Sequence, residues 1–246
     1  MYSNTLFDTN KKEETIIEID SSFSFKEKRI IGVDETGVGD YFGPLISAAV
    51  LVSDKQIEYL KSIGVKDSKK ITSDSRIIDL ANQIKSKCLY KVYTLSNAGY
   101  NRVEQTYRNS NKLKFFTHAH VINSLEELLE SRGSEYDYVF IDQYTTKNAF
   151  IEYFNNMIYI NNWSSIKVFK KPILLSHKAE SIHISVAAAS ILARAELLEN
   201  MKKMKAKYNF DFKLGASKQV KELVQKFKEK FGEEELKNVC KTSFKL

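Results

Sequence analysis

One stretch near the start limits what this chain can fold into. Residues 30–52 read IIGVDETGVGDYFGPLISAAVLV. Its two apolar runs, IIGV and LISAAVLV, are rich in β-branched and small residues and predict two strands of a buried sheet, paired as a hairpin or as neighbours. Between them lie adjacent carboxylates, Asp34 and Glu35, and glycines at 37, 39 and 43. A strand that ends in paired acids and runs into a backbone free to bend can hold a divalent cation beside a phosphate chain. Such chemistry needs more acids from elsewhere in the chain.

Residues 1–28 are polar and carry no strong period apart from TIIEI at 15–19. They read as a frayed N-terminal extension with one edge strand, and the domain proper is expected over 29–246. Helical spacing predicts a helix over 54–63 that stops at Gly64, then a polar loop, VKDSKKIT, and a helix capped by Ser73. A third strand is expected over 90–95, mostly helix over 99–130, and a strand over 136–142, YDYVFID, that ends in Asp142. Residues 147–158 suggest a helix and 166–169 a short last strand. After Pro172 comes an alanine-rich helix, buried in its middle, whose entry carries Glu180. An amphipathic helix follows over 217–231, and a final short one starts near Glu233. About five strands flanked by helices place the chain in the α/β class as one compact domain.

The 246 residues include 38 Lys+Arg and 31 Asp+Glu, a net charge of +7. The 13 lysines and 6 acids of residues 201–246 account for all of that excess. A basic helical tail segment, from about 200 onward, on a neutral body suggests a polyanionic partner, nucleic acid ahead of membrane, although a solvated helical face has the same composition. Two cysteines far apart form neither a metal pair nor a disulfide framework, which points to a reducing cytoplasm. No apolar run is long enough to cross a membrane.

Taken singly, Asp34 with Glu35, Asp142 and Glu180 also suit turn caps and a helix N-terminus. Strand ends and helix starts on one edge of an α/β sheet converge in space, however, and ligands favour that edge. Four carboxylates meeting there call for cations to offset their repulsion. Two Mg²⁺ or Mn²⁺ ions roughly 3.5–4 Å apart would serve phosphodiester hydrolysis, one activating water and one stabilising the leaving oxygen. Other chemistries lack their residues. GVGDYFG is not a dinucleotide fingerprint, no Walker lysine occurs, and the histidines at 118, 120, 177 and 183 have no cysteine partners for zinc.

These motifs together resemble the type 2 and type 3 ribonucleases H, and DYFGP is most similar to the type 3 branch. The likeness continues through VKDSKKIT at 65–72, YNRVEQTYRNSNKLKFFTH at 100–118, VFIDQ at 139–143, HKAESIHISVAAASILAR at 177–194 and LGAS at 214–217. It implies a ribonuclease H-like fold and an endonuclease that cuts the RNA strand of an RNA/DNA hybrid, leaving 5′-phosphate and 3′-hydroxyl ends. The family's metal-binding acids fall on Asp34, Glu35, Asp142 and Glu180. Its loop for the ribose 2′-hydroxyl falls on Thr36, Gly37, Val38 and Gly39. Lys69, Asn111, Lys112 and Lys178 match motif positions suited to phosphate or minor-groove contacts.

The resemblance has two departures. Val38 stands where type 2 enzymes carry arginine and type 3 enzymes a small polar residue, so cleavage at runs of ribonucleotides is expected rather than at single embedded ones. The 28 residues before the domain are too few for the N-terminal domain, similar to the TATA-binding protein, that type 3 enzymes commonly carry. The expectation is a monomer acting on hybrids. The rivals are a catalytically silent hybrid-binding module and a DNA-cutting nuclease of the same fold, such as a resolvase or transposase-like enzyme.

Overall fold

The computed structural model describes residues 15–20 and 22–244. Six strands form one mixed sheet: β1 (Ile16–Glu18), β2 (Ile30–Thr36), β3 (Leu45–Val52), β4 (Leu89–Leu95), β5 (Tyr138–Asp142) and β6 (Ile173–Ser176). Their order is β1-β6-β5-β2-β3-β4. The β2-β3-β4 meander is antiparallel, while β2, β5, β6 and β1 pair in parallel. The helices are α1 (Asp54–Ser62), α2 (Asp74–Lys87), α3 (Asn97–Tyr107), α4 (Ser110–Ser131), α5 (Lys147–Asn155), α6 (Ala179–Ile182), α7 (Ile184–Tyr208), α8 (Lys218–Phe231) and α9 (Glu233–Val239).

The pleat sorts the central strands onto two helical layers, because successive side chains point to opposite faces. Ile31 and Val33 of β2, with Leu45, Ala49 and Leu51 of β3, pack under Leu113, Phe115, Phe116 and Ile122 of α4. On the other face Ile46, Ala48, Val50 and Val52 meet α1, α2 and the alanine-rich run of α7, and Ile30 meets Val186. At Gly32 a Cβ would sit 2.2 Å from the Ser185 backbone, so glycine is what lets α7 lie directly against β2. As expected, α7 is buried from Ser185 to Ala193.

The edge strand expected within TIIEI forms as β1, which brings the sheet to six strands where about five were expected. Residues 1–14 of the expected N-terminal extension lie outside the described residues. The strand expected over 166–169 does not form. There, side-chain amides replace a strand ladder: Asn162 bonds both the N–H and the carbonyl of Ile166, and Asn123 does the same for Lys167. The strand is instead β6, an apolar run easily read as part of the following helix. That helix is also broken, since Lys178 takes a left-handed turn (φ 57°) and His183 an extended one, which sets α6 apart from α7. Residues 99–130 are likewise two helices, separated at left-handed Arg108.

The C-terminal helices form a separate apolar cluster. Val220, Val224 and Phe227 of α8 and Leu236 and Val239 of α9 close around Tyr41 and Phe42, the aromatic pair of DYFGP. The loop after β2 is therefore anchored in the C-terminal end of the chain. Among the described residues no helix is long and apolar enough to cross a membrane.

Candidate active site

Strand register brings Asp34 and Asp142 to one edge of the sheet, and Glu180 lies in the short helix that follows β6. Val33 lies opposite Ile141 in the parallel β2–β5 pair, so the next residues, Asp34 and Asp142, are level at the strand ends. Asp142 Oδ1 accepts a hydrogen bond of 3.0 Å from the Ala179 N–H, which ties it to the turn carrying Glu180. Asp34 shares its face with Gly32 and looks at α7, where the Ser190 hydroxyl donates to it. Ser190 is in turn 2.7 Å from Ser68 Oγ, in the VKDSKKIT loop. Burial, then repulsion from Glu35, pushes the Asp34 carboxyl above the usual carboxylate range, against the pull of Ser190 and Lys69.

Glu35, one residue on, points to the opposite face. Its Oε1 is 2.9 Å from Lys114 Nζ, and its Oε2 accepts from His118 Nε2 at 2.9 Å. Burial alone would raise its carboxyl, but the His118 hydrogen bond and the His118 and Lys114 charges outweigh it and hold the group low. Ser47, opposite Glu35 in the β2–β3 pair, donates to Thr117, so the contact with α4 is polar at this end of the strands. Tyr144 completes it: Lys114 Nζ lies 5.0 Å from its ring, and burial followed by the Glu35 charge pushes its hydroxyl well up.

Lys114, His118 and Ser190 were not among the residues picked out from the sequence as site residues. The spacing of Lys114 and His118, one helical turn apart, was the available signal, since it puts both on one face of a helix.

The loop matches its sequence pattern where glycine is required. Gly37 has φ +88°, and a Cβ there would lie 2.2 Å from the Pro44 carbonyl oxygen. Gly39 is exposed with open space beside it, Thr36 is half-buried, and Val38 packs against the core.

Of the four other motif positions, Lys69 acts electrostatically on Asp34 from an exposed turn. Asn111 lies one turn before Lys114 on α4. Lys112 leans away, with Nζ 3.4 Å from Glu152 and over the Tyr153 ring. Lys178 is exposed at the left-handed turn before Glu180.

No three His, Cys, Asp or Glu side chains among the described residues stand close enough to form a ready metal cage. The donor chemistry nonetheless suits a hard cation. Asp34 and Asp142 are carboxylates at one edge, with Glu180 in the helix that follows β6, and Asp34 is a half-buried acid whose ionised form lacks a full countercharge. Glu35 differs, because Lys114 already supplies a countercharge and His118 a hydrogen bond.

A mixed sheet with carboxylates at adjoining strand ends and a long helix against its central strand is the ribonuclease H-like architecture. A solved structure, Bst-RNase HIII in complex with Mn²⁺, superposes with a TM-score of 0.81 at 29% identity, over 91% of this chain and 69% of that one. The family model for ribonuclease HII matches residues 31–246, and the chain belongs to this family of nucleases. It is similar to the ribonuclease HIII of Phytoplasma mali (strain AT), 34% identical over 95% of this chain and 76% of the relative. With the ribonuclease HIII of Lysinibacillus sphaericus (strain C3-41) it shares 32% over 87% of this chain and 66% of the relative. The chain thus spans two thirds to three quarters of the length of these proteins.

Proposed function

We propose that this chain is an endoribonuclease that hydrolyses the RNA strand of RNA/DNA hybrids, leaving 5′-phosphate and 3′-hydroxyl ends, and that it acts as a monomer. The observation that carries the reading is the level placement of Asp34 and Asp142 beside a loop whose Gly37 admits no side chain. Asp34, Asp142 and Glu180 would hold two divalent cations, Mg²⁺ or Mn²⁺, which supply an activated water and charge stabilisation at the leaving oxygen.

The chain's own residues do the rest. Lys114 and His118 fix the Glu35 carboxylate in its ionised form, aimed away from the Asp34 face. The residue 36–39 loop brings backbone close to the sugar, where the 2′-hydroxyl distinguishes RNA from DNA. Lys69, exposed beside Asp34, offers its ammonium to a backbone phosphate.

The test is incubation with a labelled RNA/DNA hybrid, duplex DNA and duplex RNA, each with Mg²⁺, Mn²⁺ or chelator. The expected outcome is hybrid cleavage that chelator abolishes and that Asp142→Asn removes. Hybrid binding without cleavage would instead identify a silent module. Cleavage of duplex DNA alone would identify a resolvase-like enzyme.

A further inference from the structure

The loop after β2 is held by a lysine that no part of the hydrolytic chemistry requires. Lys241, just past α9, is fully buried. Its Nζ donates to the Asp40 carbonyl at 2.9 Å and to the Gly43 carbonyl at 2.5 Å, and lies 5.3 Å from the Tyr100 ring centre. Its own N–H donates to the Tyr41 carbonyl at 2.8 Å, and the Gly43 N–H donates back to Val239. Asn97 takes the second acceptor direction of the Gly43 carbonyl at 2.9 Å. From the LGAS motif, the Gly215 N–H donates to the Asp40 carboxylate and the Gly215 carbonyl accepts from Tyr41. Three distant segments therefore grip residues 40–43, and the Lys241 ammonium bridges the two ends of that span.

An ammonium is costly to bury, and an apolar side chain would fill the same space without that cost. Burial pushes the Lys241 ammonium down to about 8, although the Asp40 and Cys240 side chains favour its charge. At neutral pH it remains a cation with two main-chain acceptors and an aromatic face. What the lysine does that an apolar residue cannot do is fix the separation of two carbonyls. The Asp40 carbonyl lies directly after Gly37, Val38 and Gly39, and the Gly43 carbonyl closes the same loop.

We infer that Lys241 is a positioning residue for recognition of the ribose: by bridging the Asp40 and Gly43 carbonyls it sets the path of the residue 36–39 loop beside Asp34. This rests on the proposed reading of that loop as the 2′-hydroxyl sensor. Lys241 touches no substrate and acts through the loop alone. Its removal changes discrimination between RNA and DNA rather than general affinity for phosphate.

The test is binding in chelator, which prevents cleavage, of a hybrid and of a DNA duplex of the same sequence. Lys241→Met keeps length and apolar volume but removes the donors. Its affinity for hybrid is expected to fall about tenfold, the equivalent of one such hydrogen bond, with affinity for duplex DNA unchanged. Loss of folded protein lowers both affinities together, so their ratio isolates positioning.

Asn101→Ala loosens the same clamp from outside, because Asn101 bonds the carbonyls of Lys237 and Cys240 and the N–H of Thr242. It is expected to shift the ratio in the same direction by a smaller factor, and it decides the matter if Lys241→Met does not fold. A folded Lys241→Met with an unchanged ratio overturns the inference while leaving the loop reading intact. A wild-type protein that binds both duplexes equally overturns the loop reading itself.

Discussion

Asp34 and Glu35 are neighbours in the chain but occupy opposite electrostatic surroundings. Asp34 looks at α7, a helix of alanine and serine, and burial raises its carboxyl. Glu35 looks at α4, where Lys114 and His118 hold it low. The two histidines buried on these faces repeat the contrast. His118 has a carboxylate partner, whereas His183, at the start of α7, has only Ser185 beside its Nδ1 and is pushed down to about 4, mainly by burial. A pleated strand can thus present one acid in need of an external cation and another with its countercharge built in. The α4 face supplies its own positive charge, and the α7 face leaves it to be supplied.

The sharpest way to break this contrast is Asp34→Asn. Turnover on a hybrid should fall by at least about 10³-fold, as when a charge-stabilising group is removed from an active site. The melting temperature of the cation-free protein should nevertheless rise, by roughly 2–8 °C, because a buried and repelled carboxylate has gone. A fall in both would place Asp34 in surroundings like those of Glu35.

The next largest effect belongs to His183. Its folded pKa of about 4 lies below the ordinary 6.5. Between those values the unfolded chain binds a proton that the native protein does not, so stability falls as pH drops from about 6.5 to about 4, by about 3 kcal/mol at most. His183→Asn retains a capping acceptor for Ser185 and cannot titrate. Denaturant unfolding at pH 7 and 4.5 should show a smaller acid loss in that variant than in the wild type. Equal losses would mean that this face is wetter than its packing implies.

The smallest effect is at Glu35. His118→Leu keeps the volume and leaves Lys114 as the one strong partner of the carboxylate. Turnover should drop about tenfold with little change in KM, the scale of one hydrogen bond to a charged group. Unchanged turnover would show that holding Glu35 has no bearing on catalysis.

The acids stood out because each sits where a periodic element stops or starts, and strand ends and helix starts share an edge in an α/β sheet. Which way each acid faces was not. That follows from the pleat only once Gly32 is known to admit α7 on one side, and the partners of Glu35 lie over 70 residues away on α4. The strand expected over 166–169 failed for a related reason. Its residue types suit a strand, but asparagine side chains at 123 and 162 take the backbone groups of Ile166 and Lys167. The apolar ILLS run of β6 has no alternation to distinguish it from helix, and its parallel partners β1 and β5 settle its form. The C-terminal lysines read as a basic surface, and most are, yet Lys241 is buried in the interior. Composition cannot single out the one lysine whose partners are main-chain carbonyls some 200 residues earlier.

That separation bears on how the protein is made. The β2–β3 hairpin can pair as soon as residue 52 has left the ribosome, but Asp40 and Gly43 wait for Lys241. Contacts so far apart in sequence are the slowest to close. During synthesis the strands bearing Asp34 and Asp142 can therefore form before the loop beside them is secured. The loop proposed to meet the substrate is thus secured last, and a ribosome-bound chain halted before residue 241 carries the acids without the clamp.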